Sequence, residues 1–222
     1  MEAANIGQRE ADVAPASEPM GGRMAGWTPA DPGPLGLAAF AGTTFMLSLI
    51  NAGLVGVQHG LPGGGLLPMV AALALAYGGI AQLIAGLWEF RTGNTFGAVA
   101  FCSYGAFWIS FFFIVQSAGQ NAPSVLFNGL GLYLWMWGIF TAYMFIASLR
   151  TTAAIALVFI LLTVTYILLA IGDMGSGHTT ITHIGGYVGI ATAVAAWYAS
   201  FAAVLNSTFA RILLPVVPLR RV

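Results

Sequence analysis

Lysine is absent from the 222 residues, and seven arginines with seven acidic residues supply all the full charges, 6% of the chain. A soluble domain carries about 25% charge, so no water-facing surface can be built from this composition. Net charge is zero and no basic run occurs, which leaves nucleic acid without an electrostatic footprint. A single cysteine, Cys102, excludes an intrachain disulfide and any thiolate metal site. Three histidines, His59, His178 and His183, are too few and too scattered to suggest a metal cluster, and nothing in the sequence calls for a cofactor.

What the chain has instead is apolar length. Hydrophobic residues make up 59% and mean hydropathy is +0.87. Crossing a hydrocarbon core of roughly 30 Å takes about 20 apolar residues in a helix. Six runs qualify, at about Leu35–Val57, Leu66–Trp88, Phe96–Val115, Leu126–Ala147, Ala153–Ile171 and Ile184–Leu205. Transmembrane β-barrels read as alternating segments of about 10 residues, and these runs are continuous and about twice as long. The expected fold is an all-α membrane protein with six transmembrane helices. Residues 1–30 are expected to be a polar, disordered tail without an apolar signal segment, 31–206 the six-helix pore domain, and 207–222 a C-terminal tail.

Six spans place every arginine (Arg9, Arg23, Arg91, Arg150, Arg211, Arg220, Arg221) on one side of the membrane. The positive-inside rule then puts both termini in the cytoplasm of a multi-pass cell-membrane protein. Trp27, Trp88 and Tyr198 fall near span ends, where aromatic rings can anchor the interface. Small residues recur every fourth position at Gly185, Gly189 and Ala193 and at Ala74 and Gly78, a spacing that lets helices approach closely within or between protomers.

Inside lipid, ionisable residues are the first functional suspects, and no Asp, Glu or Arg falls near the middle of a span. Carboxylate-relay pumps and voltage sensors are therefore disfavoured. The spans offer uncharged polar groups: Thr43, Thr44, Ser48 and Asn51 on the first, Gln82 on the second. Thr44, Ser48 and Asn51 fall at i, i+4 and i+7, one helical face able to line a wet path or to bond within the bundle. Ahead of them, Asp31, Pro32, Gly33 and Pro34 suit the first turn of a helix, with Asp31 as its cap.

At this point the motifs converge. Asp31–Leu37, with Pro32, Pro34, Leu35 and Gly36, resembles the Asn-Pro-x-Pro-Leu-Gly-Leu signature of the acetate uptake transporter family, also called succinate–acetate permeases. The likeness continues through Tyr77-Gly78-Gly79-Ile80-Ala81-Gln82, Glu89, Gly93-Asn94-Thr95-Phe96-Gly97 and Ser103-Tyr104-Gly105, and on to His183 and Gly186. It spans about residues 31–215. The resemblance implies a homo-hexamer whose protomers each carry a pore for acetate and, in some members, succinate. It also implies a hydrophobic constriction, at Phe40, Tyr104 and Leu162 by local alignment, with Leu161 adjacent to the last. Asp31 departs from the family's usual Asn.

The expected activity is transport, not catalysis. A small carboxylic acid has a pKa near that of Glu, about 4.3, so the anion dominates at neutral pH and a bare carboxylate in an apolar passage needs polar partners. Without a cationic side chain, Thr43, Thr44, Ser48, Asn51 and Gln82, with backbone N–H groups at helix starts, are the expected substitutes for water around an apolar neck. His183 is the one nameable proton relay. The competing readings are a channel for another small solute such as ammonia or water, and a non-transporting scaffold. An intramembrane hydrolase would need a dyad that Ser176 and His178, two apart in a polar loop, cannot readily form.

Overall fold

The computed structural model describes residues 29–55, 66–117, 123–174 and 179–219, with only the backbone described at 123–127. The tail through residue 28, with Trp27, and the loop residues His59, Ser176 and His178 lie outside the described residues.

The described helices are α1 (Gly33–Asn51), α2 (Leu67–Leu75), α3 (Gln82–Thr92), α4 (Thr95–Ser117), α5 (Pro123–Ser148), α6 (Ala153–Gly172) and α7 (Thr179–Thr208). A π-helical turn, Ala76–Ala81, joins α2 to α3 and makes them one span, Leu67–Thr92. Six helices are thus long and apolar enough to cross a membrane, in line with the six expected runs. α7 overruns its apolar stretch at both ends, because polar Thr179, Thr180 and Asn206–Thr208 continue the helix past the hydrocarbon length.

α1 and α6 both pack most extensively on α7, while α5 lies on α6 and α3 on α4. The glycine stripe of α7 explains the first two contacts. A side chain at Gly185 would meet Leu169, at Gly189 it would meet Ser48 and Thr165, and at Gly186 it would collide with the backbone of Asn51 and Ala52. Ala74 is fully buried, and Gly78 abuts Thr43 and Trp108. Both small-residue stripes are therefore used within the protomer. Lipid offers no burial from water to drive these contacts, so close van der Waals fit carries them.

Gly186→Ala should lower stability by about 1–3 kcal/mol through overpacking, read as an earlier thermal transition in detergent. Gly129→Ala, on an exposed face of α5 with nothing within 4 Å of the added methyl, should leave that transition in place or raise it slightly.

Candidate functional site: two cavities and an aromatic neck

Two cavities enter the bundle from opposite ends. The terminal-side cavity, about 320 Å³, lies where α1 and α6 begin and α3 meets α4, and Asp31, Glu89, Asn94 and Thr152 line it. The far cavity, about 100 Å³, lies where α1 and α6 end, and Thr44, Ser48, Asn51 and Asp173 line it. One water needs roughly 10–15 Å³ of such space, so even the smaller cavity has room for several waters or one two-carbon acid.

Both cavities stop at the same layer. On α1, Leu37 faces the terminal-side cavity and Phe40 the far one; on α6, the same change falls between Phe159 and Leu162. Three residues of helix are about 4.5 Å of travel. Tyr104 of α4 lines neither cavity but packs on both of these walls, its ring centroid 5.8 Å from Phe40 and 6.2 Å from Phe159. Phe40, Tyr104 and Leu162 are all buried, at 4%, 3% and 3% exposed. Leu162, and not Leu161, lines a cavity.

The Tyr104 ring is held in place. Its hydroxyl lies 2.9 Å from Thr141 Oγ1, whose own proton goes to the Trp137 carbonyl at 2.7 Å. Tyr104 is therefore the donor. Phe140 packs edge-on against the ring at 5.4 Å. The one proton of this phenol is thus committed, and aromatic rings surround it.

The motifs build the terminal-side mouth. Asp31 Oδ1 accepts the N–H of Gly33, the first residue of α1, at 2.8 Å, while the N-cap position itself is Pro32, so Asp31 closes the turn ahead of the helix in place of the expected cap. Gly93 adopts φ +79°, the left-handed turn that ends α3. Asn94 Oδ1 then accepts the Gly97 N–H at 3.1 Å, an N-cap for α4. Gly97 itself must lack a side chain, because one would sit 2.7 Å from the Glu89 carboxyl. Thr152 caps α6 through Ile155 N–H, and carbonyls of the returning C-terminal segment, Val217 and Val216, take the N–H groups of Ala153 and Ala154. A second expectation is corrected here. The leading N–H groups of α6 are already occupied, so that helix start offers no free backbone donors to an anion.

The expected path residues divide. Thr44, Ser48 and Asn51 all line the far cavity, the single face their spacing described. Thr43 is fully buried on the other side of α1, donating to the Ala39 carbonyl at 3.0 Å and lying against Gly78. Gln82 is fully buried just after the π turn, its amide without a hydrogen-bond partner among the described residues, and lines neither cavity. His183 packs against Gly53 and lines neither. Sequence reasoning passed over Asp173, Phe159 and Val216 as cavity residues. A signal for the first was available: beyond residue 30 the only acidic residues are Asp31, Glu89 and Asp173, and all three line a cavity. Burial pushes the Asp173 carboxyl up to about 6, while a hydrogen bond from Thr182 pulls the other way.

A family model described as the GPR1/FUN34/yaaH family matches residues 18–221. The chain is 41% identical over 202 residues to acetate permease A of Emericella nidulans, an alignment covering 84% of this chain and 65% of that one. It is 40% identical over 190 residues to the succinate-acetate/proton symporter SatP of Escherichia coli strain K12, covering 84% and 95%. A solved structure of the bacterial acetate channel SatP matches with a TM-score of 0.75 at 40% identity, covering 85% of this chain and 99% of that one. The chain therefore spans just under two thirds of the fungal relative's length and nearly all of the bacterial ones.

Thr141→Val should strand the buried Tyr104 hydroxyl and destabilise the protein by about 1–3 kcal/mol, whereas adding Tyr104→Phe should recover most of that loss because both partners are then gone. Melting the two variants beside the wild type in detergent checks this; a double variant no more stable than Thr141→Val alone would break the assignment.

Proposed function

The chain belongs to the GPR1/FUN34/yaaH family, and on that premise we propose that it carries acetate and similar short monocarboxylates across the cell membrane. The path runs through the two cavities and the neck at Phe40, Tyr104 and Leu162. The observation that carries this reading is their meeting at one aromatic layer, about three residues thick on both α1 and α6. The names of the relatives support the substrate class. The arginine pattern supports cytoplasmic termini, so the terminal-side cavity opens inward. A homo-hexamer belongs to the same proposal, and native mass spectrometry of the purified protein tests it.

Physically, the anion exchanges part of its hydration for neutral groups. In the far cavity Ser48, Thr44 and Asn51 offer hydroxyls and an amide along one helical face, and no described lining residue there carries a positive charge. Neutral dipoles hold a carboxylate weakly, which suits release and conduction. At the neck the acid sheds the rest of its water against carbon, and the ring spacing sets the size limit. Any proton that crosses travels with the substrate; His183, Thr43 and Gln82 line neither cavity and stand outside the path.

In liposomes the purified protein should pass labelled acetate, and acetate counterflow should exceed methylammonium counterflow; the reverse ranking would favour an ammonia channel. Replacing Phe40, Tyr104 and Leu162 together with Ala should admit larger monocarboxylates, so unchanged acetate-to-lactate selectivity in that variant would count against the neck. Asp173 adds a pH dependence of definite sign. As the pH falls through about 6 its carboxyl becomes neutral, the far mouth loses a negative charge, and acetate entry from that face should rise more than the supply of neutral acid alone provides. Asp173→Asn should flatten this extra rise; a pH profile identical to wild type would remove Asp173 from the entry step.

A further inference from the structure

The terminal-side cavity carries a charge that the fold does not need. Asp31 and Glu89 flank the first turn of α1 so closely that a methyl on Gly33 would lie 3.0 Å from Asp31 Oδ1 and 3.5 Å from Glu89 Oε1. Glu89 is built in. It is 2% exposed, and Thr92 and Asn94 hydrogen-bond its carboxyl. Asp31 is exposed, and its one fixed role is to accept the Gly33 N–H. That bond asks for an acceptor oxygen and not for ionisation; Asn closes such a turn as well as Asp does. Turn closure therefore accounts for a polar side chain at position 31 and leaves its negative charge unexplained.

A charge at a pore mouth acts on whatever passes in proportion to the charge of the passenger. The described residues that line this cavity with Asp31 include no cation. A neutral acid passes Asp31 unaffected, a monoanion is repelled once and a dianion twice. At roughly 6–7 Å in water, each such unit repulsion lowers occupancy about threefold, and more where the walls lower the dielectric.

We infer that Asp31 is a charge-selecting residue at the terminal-side mouth, favouring monocarboxylates over dicarboxylates in this chain. The inference rests on the transport reading above and sharpens its substrate class, from short organic acids in general to those bearing a single carboxylate.

Asp31→Asn isolates the charge, since it keeps the acceptor. In proteoliposomes at neutral pH and low ionic strength, the succinate-to-acetate flux ratio of Asp31→Asn should exceed that of the wild type about three- to tenfold. The difference should shrink in high salt, where the repulsion is screened. An unchanged ratio, or equal gains for both acids, overturns the assignment. A second measurement reads the same charge without transport. Ala203 lines this cavity, and Ala203→Cys in a Cys102→Ala background gives one thiol to modify there. The rate with a negatively charged methanethiosulfonate, divided by the rate with a neutral one, should rise about threefold or more when Asp31→Asn is added. If this thiol ratio moves while the wild type passes neither acid, the transport reading fails and the placement of the charge stands. If the thiol ratio does not move, or moves without any change in the flux ratio, Asp31 does not select by charge.

Discussion

A carboxylate that leaves water inside a membrane must find polar partners within a few ångströms or not go at all, and the proposed neck of Phe40, Tyr104 and Leu162 is where it would find none. Everything around that layer is arranged by the difficulty. Hydroxyls and an amide stand on the far side at Thr44, Ser48 and Asn51. A wider, carboxyl-bearing space stands on the other. The neck is thin because the desolvated stretch has to be short. The Tyr104 ring of that proposed neck is held by Thr141, Phe140 and Phe159.

The strings that carry the family resemblance turn out to be joints. Asp31-Pro32-Gly33-Pro34 starts α1 with a closed turn, and the Pro34 carbonyl accepts a hydrogen bond from Ser200 on α7 at 2.7 Å. Gly93-Asn94-Thr95-Phe96-Gly97 ends one helix and caps the next in five residues, and its last glycine makes room for the Glu89 carboxyl. Tyr77-Gly78-Gly79 lies in the π turn, where Gly78 lets Thr43 and Trp108 close in. These segments build walls and corners. The first two also line the terminal-side cavity, through Asp31, Gly33 and Pro34 and through Asn94, Phe96 and Gly97.

That division explains what the sequence could disclose. Six apolar runs and a one-sided set of arginines define the spans because lipid leaves the backbone few alternatives. The face of Thr44, Ser48 and Asn51 was legible because a helix fixes which residues share a side. Thr43 and Gln82 were not, since polarity alone does not say which face of α1 or α3 meets a neighbour, and both meet one. Phe159 carries no mark that separates it from the other aromatics of the chain. Val216 reaches the cavity through a fold-back in which Ala153 and Ala154 bond to the returning strand, a contact across about sixty positions that no local pattern announces.

The fold-back also bears on how the anion is handled. Helix starts are ready-made anion sites when their N–H groups are free, and three helices begin around the terminal-side cavity. At each of them a donor is already taken: Gly33 N–H by Asp31, Gly97 N–H by Asn94, and all three leading donors of α6 by Thr152, Val216 and Val217. A mouth built to capture carboxylate would leave such groups open and would not add Asp31 beside Glu89. A mouth built to let carboxylate go would close them. The filled start of α6 and the acidic lining therefore act in the same direction, toward low occupancy on the side where the proposed substrate is released, with selectivity left to the proposed neck and to the charge of the acid itself.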